Sequence, residues 1–397
     1  MKVAYLLGSL NRGGTETLML DVFRNARQNN LDAMGVYRKS GILEQDFINS
    51  GVQMFKLPFR KNILTYLIQL RKLLKVKQIE VIHAQQPIDA LYARLACMGT
   101  GIQIILTLHG YDYNDTGLTK SILGFIIKRT DTNIFVSNTQ REYYQLKYSL
   151  KPEKQQVVYN GISFEKLVIS STRSATPSHA PSNEQSTLNR APNNNLRDEL
   201  QLSPDTILFG SVGNFVSVRD QLTLCRFLKL LKDEKIQFHF LFVGKRDDKM
   251  PHLYDDCVSY CQQNGLSNIV SFLGSRNDVP EILSQLDAFV YATDHDTFGI
   301  AVVEAMAVGI PVFVNDWGVM KEITEDGKFA TLYKTKDEDD LLQQFMLFLQ
   351  NKSAYQAKAK ETSRFVRETY SIEKHIEKLK EVYKQLVISD ERLVIND

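Results

Sequence analysis

The chain has 397 residues, 43% of them hydrophobic and 24% charged, which is too long for one typical domain and suits two of medium size in a soluble globular protein. Its opening, MKVAYLLGSL, has only a short apolar run before Arg12, so it reads as a first strand and not a signal peptide, and no apolar run approaches the roughly 20 residues of a membrane-spanning helix. The net charge of +2 conceals an asymmetry: residues 1–160 carry 21 Lys+Arg against 12 Asp+Glu (+9) and the remainder 27 against 34 (−7), which argues against nucleic acid as a partner and suits a first half that faces an anionic surface or acceptor.

Apolar strand-like runs alternate with amphipathic helical ones, the pattern of parallel βαβ units. Val3–Leu7 leads to a loop at 8–14 and a helix over about Thr15 to Gln28. The pair Gly13-Gly14 lets backbone approach a ligand and opens a helix amino terminus, although by itself it is better read as a structural turn. Gln53–Leu57, Glu80–His83, Gln103–Leu108, Asn133–Val136 and Gln156–Val158 read as further strands. Asn62–Gln78 is an amphipathic helix with Ile63, Leu67, Leu70 and Leu74 on one stripe, accompanied by Arg60, Lys61, Arg71, Lys72, Lys75 and Lys77. From pattern alone a solvated basic face is favoured over a contact with anionic lipid, worth about 1 kcal/mol per basic residue. His83 reads as structural. His109, at the carboxyl end of a strand, reads differently, because ligands collect at that edge of open α/β sheets. After Asn160-Gly161, residues 169–195 are rich in Ser, Thr, Pro and Asn with almost no large apolar residue, and are expected to form a disordered insertion.

The pattern resumes at about Leu196 with a strand over Ile207–Ser211, then a loop that carries Arg219. Asn268–Leu273 is a strand leading to Ser275 and Arg276. Tyr291–Asp316 reads as loop, helix and strand: the helix runs to about Val308, Gly309 stops it, and Ile310–Val314 is a short buried strand. Asp296 and Glu304 stand eight positions apart, a little over two helical turns, so both carboxylates can face the crevice above a sheet. With the open amide terminus at Gly299–Ile300, this combines a carboxylate for sugar hydroxyls with amides for phosphate, as in a nucleotide-sugar site. Asp337–Gln350 and Ile372–Leu386 read as helices. Cys97, Cys225, Cys257 and Cys261 lack the spacing of a zinc site and read as buried thiols in a reducing cytoplasm.

The stretch Glu304-Ala-Met-Ala-Val-Gly-Ile-Pro-Val312, preceded by His-Asp-Thr-Phe-Gly, resembles the signature of the family 4 retaining glycosyltransferases, with Asp296 where the family has a first glutamate. The resemblance covers essentially the whole chain except the insertion. It implies the GT-B fold, two Rossmann-like α/β domains facing a central cleft: an acceptor-side domain at 1–162, a nucleotide-sugar-binding domain at 196–371, and a helix at 372–397 packing back on the first. It implies transfer of a sugar from a nucleotide diphosphate to an acceptor hydroxyl, with retention and without a metal ion or cofactor, in cell-surface polysaccharide or glycolipid assembly. Asp294-His295-Asp296 has Asp-x-Asp spacing but lies inside the family's acid motif and is not read as a metal site. By resemblance His109 lines the donor-sugar pocket, Asp296 lies near the donor sugar, and Arg219 stands in the place of the family's lysine at the diphosphate. Glu304 binds the ribose, and Phe298, Gly299 and Ile300 belong to the same donor element. Gly13 and Gly14 lie near donor phosphate and acceptor, and Ser275 and Arg276 near the nucleobase. Asn214 occupies the place of an arginine, with Lys245 as the candidate to restore that charge. The partners implied are the nucleotide-sugar donor, a sugar or lipid-linked sugar acceptor, and an anionic membrane surface met by the basic helix 60–77. The expected location is the cytoplasm, peripheral to the inner membrane face. The alternatives are a nucleotide-sugar epimerase on the same fold and a degenerate binding or scaffold subunit.

Overall fold

A computed structural model describes residues 1–59, 62–113, 116–164 and 195–394. The Ser/Thr/Pro-rich stretch therefore lies outside the described residues up to position 194, as do Arg60 and Lys61. The chain divides into two compact units, Met1–Ile162 with Thr369–Asp397, and Ser163–Glu368. Each is built on one parallel sheet with helices on both faces.

The first unit runs β1 (Lys2–Ser9), α1 (Gly14–Ala26), β2 (Asp32–Lys39), β3 (Gln53–Lys56), α2 (Ile63–Val76), β4 (Val81–Ala84), α3 (Pro87–Ala96), β5 (Gln103–Leu108), α4 (Gly117–Ile126), β6 (Thr132–Phe135), α5 (Asn138–Tyr148) and β7 (Gln155–Val157). The seven strands are ordered β3-β2-β1-β4-β5-β6-β7. Side chains alternate across β1: Val3, Tyr5 and Leu7 join a core with α1, while Ala4 and Leu6 join one with α2 and α3. Strand β2 is not picked out by the sequence reading. Its apolar run is short and interrupted by Gly35, where Met54 and Phe23 pack into the space a Cβ would need.

The second unit runs β8 (Ile207–Val212), α6 (Gln221–Asp233), β9 (Phe238–Val243), α7 (His252–Gln263), β10 (Val270–Phe272), β11 (Ala288–Tyr291), α8 (Ile300–Val308), β12 (Val312–Asn315), β13 (Thr331–Tyr333) and α9 (Glu338–Gln350). Its six strands are ordered β10-β9-β8-β11-β12-β13. In both sheets the order reverses beside the first strand, at β1/β4 and β8/β11, and a crevice opens outside the carboxyl ends at such a point. The long helix α10 (Ile372–Val394) belongs to the first unit, where Ile372, Ile376, Leu379, Val382 and Tyr383 pack into the core around β1. All four cysteines are buried free thiols. Among the described residues no helix is long and apolar enough to cross a membrane.

Candidate functional site

The second unit carries most of the predicted donor residues, and helix α8 organises them. Ala301, Val302, Val303, Ala305, Met306 and Ala307 are buried, so its one carboxylate, on Glu304, is half-buried in an otherwise apolar helix. Gly299 opens the helix at φ 83° and Gly309 closes it at φ 85°, both left-handed, and a Cβ on Gly299 would meet the methyl of Met320 at 2.7 Å. Phe298 is buried against this turn. The amides of Gly299 and Ile300 thus head a helix of nine residues with no side-chain cap on them.

The loop before α8 is held by the ends of neighbouring strands. Asn315, 1% exposed at the carboxyl end of β12, accepts from Thr293 N at 2.9 Å, donates to Thr293 O at 2.8 Å and reaches the Thr335 hydroxyl at 2.9 Å. The Thr293 hydroxyl donates to Val218 O at 2.7 Å, and Arg219 bridges to Thr293. These bonds bring Arg219 and Asp296 together: a guanidinium nitrogen lies 3.4 Å from the carboxylate, with the side chains 16% and 17% exposed. Burial pushes the Arg219 guanidinium down from its ordinary value, and the Asp296 charge opposes that shift. Arg219 Nη1 is buried and makes no hydrogen bond among the described residues. A buried N–H without an acceptor is costly, and a diphosphate oxygen would satisfy it.

The remaining predicted residues of this unit are engaged in the neighbouring loops. Asn214 Oδ1 accepts from the backbone N–H of Lys245 at 2.9 Å, so Asn214 fixes a loop. The Lys245 ammonium, well exposed, pairs with Asp248 at 2.7 Å. Arg276 forms a two-pronged pair with Asp278 at 2.7 and 2.5 Å beside Ser275. Tyr291 and Asn315 were not singled out by the sequence reading; the signal available was a polar residue ending each of two buried strands.

In the first unit His109 follows β5 and its Nε2 hydrogen-bonds Gln85 Oε1 at 2.8 Å. Burial holds its imidazole down to about 4, with His375 a lesser cause, so it is neutral at pH 7. His83 is structural: Nδ1 meets the Tyr383 hydroxyl and Nε2 the Thr107 hydroxyl, both at 2.6 Å. Gly13 has an extended backbone at φ −153° and is the cap of α1, and a Cβ there would meet the Glu16 carboxylate at 2.6 Å. A carboxylate of the helix's own first turn thus stands beside Gly13, and Gly14 begins the helix.

Helices α2, α3 and α4 cover one face of this sheet. Leu64 (62% exposed), Ile68 (67%), Met98 (66%) and Leu118 (76%) point outward among exposed Lys72, Lys75, Arg94, Lys120, Lys128 and Arg129. The acid within these three helices is Asp89, which is buried and pairs with Arg38 at 2.8 Å. The face is therefore basic and apolar with no exposed acid on its helices.

A family profile described as "Glycosyl transferases group 1" matches residues 192–366, and one described as "Glycosyltransferase Family 4" matches 12–166. The chain is 22% identical over 403 aligned residues, 98% of each chain, to an Escherichia coli UDP-Gal:alpha-D-GlcNAc-diphosphoundecaprenol alpha-1,3-galactosyltransferase. It is 23% identical over 81% of its length, and 82% of the relative's, to the O-antigen biosynthesis glycosyltransferase WclY of Escherichia coli. Among solved structures, Anabaena HepE in complex with UDP and glucose superposes with a TM-score of 0.79 at 16% identity, covering 97% of this chain and 99% of that one. The fold of the two sheets is that of the GT-B glycosyltransferases.

Proposed function

The chain belongs to the family 4 glycosyltransferases, and we propose that it moves a sugar from a nucleoside diphosphate to an acceptor hydroxyl with retention of configuration and without a metal ion. The observation that carries this reading is Glu304, half-buried in an apolar helix behind an uncapped amide terminus, with the unsatisfied Arg219 Nη1 on the same edge of the sheet. Glu304 would accept from the ribose hydroxyls. The bond from the anomeric carbon to the diphosphate would break as the bond to the acceptor oxygen forms, the acceptor hydroxyl passing its proton to an oxygen of the departing diphosphate. Charge grows on the departing diphosphate, and Arg219 with the Gly299 and Ile300 amides would meet it. Neutral His109, at the carboxyl edge of the first sheet, would donate or accept a hydrogen bond with a ligand bound there without adding charge.

The relatives' names support a lipid-linked sugar acceptor in polysaccharide or glycolipid assembly. They are transferases, which favours transfer over epimerisation or a scaffold role. The face of α2, α3 and α4, whose helices carry exposed bases and no exposed acid, supports a peripheral contact with the anionic cytoplasmic leaflet, where such an acceptor is embedded. Thermal unfolding against a panel of nucleotide sugars tests the donor assignment, since a ligand at 100 times its Kd adds about 2.7 kcal/mol. One member should stabilise the chain clearly. A panel without effect would overturn the reading.

A further inference from the structure

The carboxylate of Asp296 is spent on the protein itself. Oδ1 accepts from the backbone N–H of Thr297 at 2.8 Å and of Phe298 at 3.3 Å. Oδ2 accepts from the Tyr291 hydroxyl and lies 3.4 Å from Arg219 Nη1. The Asp296 amide in turn donates to the Thr293 hydroxyl at 3.1 Å, which fixes the loop from the other side. An aspartate is one methylene shorter than the family's glutamate, and here the shorter arm folds back on its own loop.

Tyr291 completes the arrangement. It is 1% exposed, and the Arg219 guanidinium carbon lies 4.2 Å above the centre of its ring. The ring thus supports the cation from below through its π face, while its hydroxyl aims the carboxylate at the cation's edge. A third side is closed by Gly213, where an added Cβ would stand 3.2 Å from the guanidinium carbon. The guanidinium is held on these sides, yet Nη1 keeps a proton with no hydrogen-bond acceptor. A cation buried without an anion nearby would be costly, and Asp296 offsets that cost without occupying the proton.

We propose that Asp296 and Tyr291 form a clamp that positions Arg219 for the diphosphate, so that Asp296 serves the reaction through the guanidinium and not by touching the donor sugar. The proposal rests on the reading above of Arg219 as the diphosphate contact. It makes Asp296 and Tyr291 positioning residues, and it places the consequence of losing either on the nucleotide part of the donor. A fixed guanidinium meets the developing charge without reorganising, whereas a loose one must be ordered in each turnover.

The distinguishing probe is a nucleoside diphosphate that carries no sugar. Calorimetric titration of the intact chain with UDP, GDP, ADP and dTDP identifies the best of them. Asp296→Asn should weaken that ligand about tenfold and Tyr291→Phe, which removes only a hydroxyl, by a smaller factor above two. In an Arg219→Ala background neither change should weaken it further, because residues that act as one unit are not additive. Unchanged nucleotide affinity in Asp296→Asn, or equal losses with and without Arg219, would overturn the clamp and return Asp296 to the sugar. Wild-type chain that binds none of the four would instead overturn the donor site itself, and the clamp's purpose with it.

Discussion

In the first unit His83, Thr107 and Tyr5 of the sheet and Tyr383 of α10 form one buried polar chain, with His109 and His375 close by. In the second the matching layer is dry: Phe209, Phe227, Phe240, Phe313, Phe345 and Phe348 pack ring against ring. At the carboxyl edge of the second unit's strands stand instead the charged Arg219 and Asp296, with Glu304 in the helix that follows. Two sheets of the same parallel design therefore place polarity differently. One keeps it inside, as neutral groups that satisfy each other. The other keeps it at the rim, where a charged ligand would complete it.

Acid is expected to separate the two most strongly. His109 and His375 are held down to about 4 by burial, and His83 is lowered for the same reason, against about 6.5 in an unfolded chain. Between those values the unfolded chain binds more protons than the folded one, so stability falls as the pH drops from about 6.5 to about 4. Each pH unit of such a gap is worth about 1.4 kcal/mol for a single histidine. Of the second unit's described histidines, His239 is the one lowered, by burial. Hydrogen exchange at stepped pH should show amides of β1, β4 and β5 losing protection before those of β8, β9 and β11. Loss in the opposite order would contradict the contrast.

The next effect lies at the rim. Arg219→Ala should lower turnover at least about a hundredfold, comparable with losing one oxyanion-hole donor, and Arg219→Lys should recover much of it. Near-normal turnover with only a raised KM would make Arg219 a uniform binding contact. Glu304→Ala should weaken nucleotide-sugar binding by roughly 1.5–3 kcal/mol, the worth of a charged hydrogen bond, with the melting temperature little changed. Equal donor affinity in the variant would remove the ribose role. Smallest in its effect on chemistry is the outer face of the first unit: replacing Lys72, Lys75, Lys120 and Lys128 by Gln should reduce binding to anionic vesicles. It should leave hydrolysis of a soluble donor as it was. Wild-type chain that ignores such vesicles at low salt would assign the face to solvent.

The sequence carried the parallel sheets because buried strands are apolar runs, and it carried α8 because Gly299 and Gly309 punctuate it and the Glu-Ala-Met-Ala run fills it. It did not carry β2, whose Gly35 is explained only by Met54 and Phe23 packing over it from elsewhere in the chain. Nor could it show which way Asp296 points. Tyr291 is five residues away and Arg219 seventy-seven (296 − 219), and the bonds of Asn315 to Thr293 and Thr335 are likewise long-range. The half of the site written in contiguous residues was legible. The half made by strand ends meeting across a sheet was not.

The central claim is that the second unit holds a nucleotide-sugar donor and releases its sugar with configuration retained. Proton NMR of the chain, at a concentration where release outpaces mutarotation, incubated with α-linked nucleotide sugars and no acceptor tests both parts together, because transfer to water then shows which anomer is freed first. The account predicts nucleoside diphosphate together with the α-anomer appearing first, and a rate that falls at least about a hundredfold in Arg219→Ala. The β-anomer appearing first, or no diphosphate released from any nucleotide sugar, would contradict it.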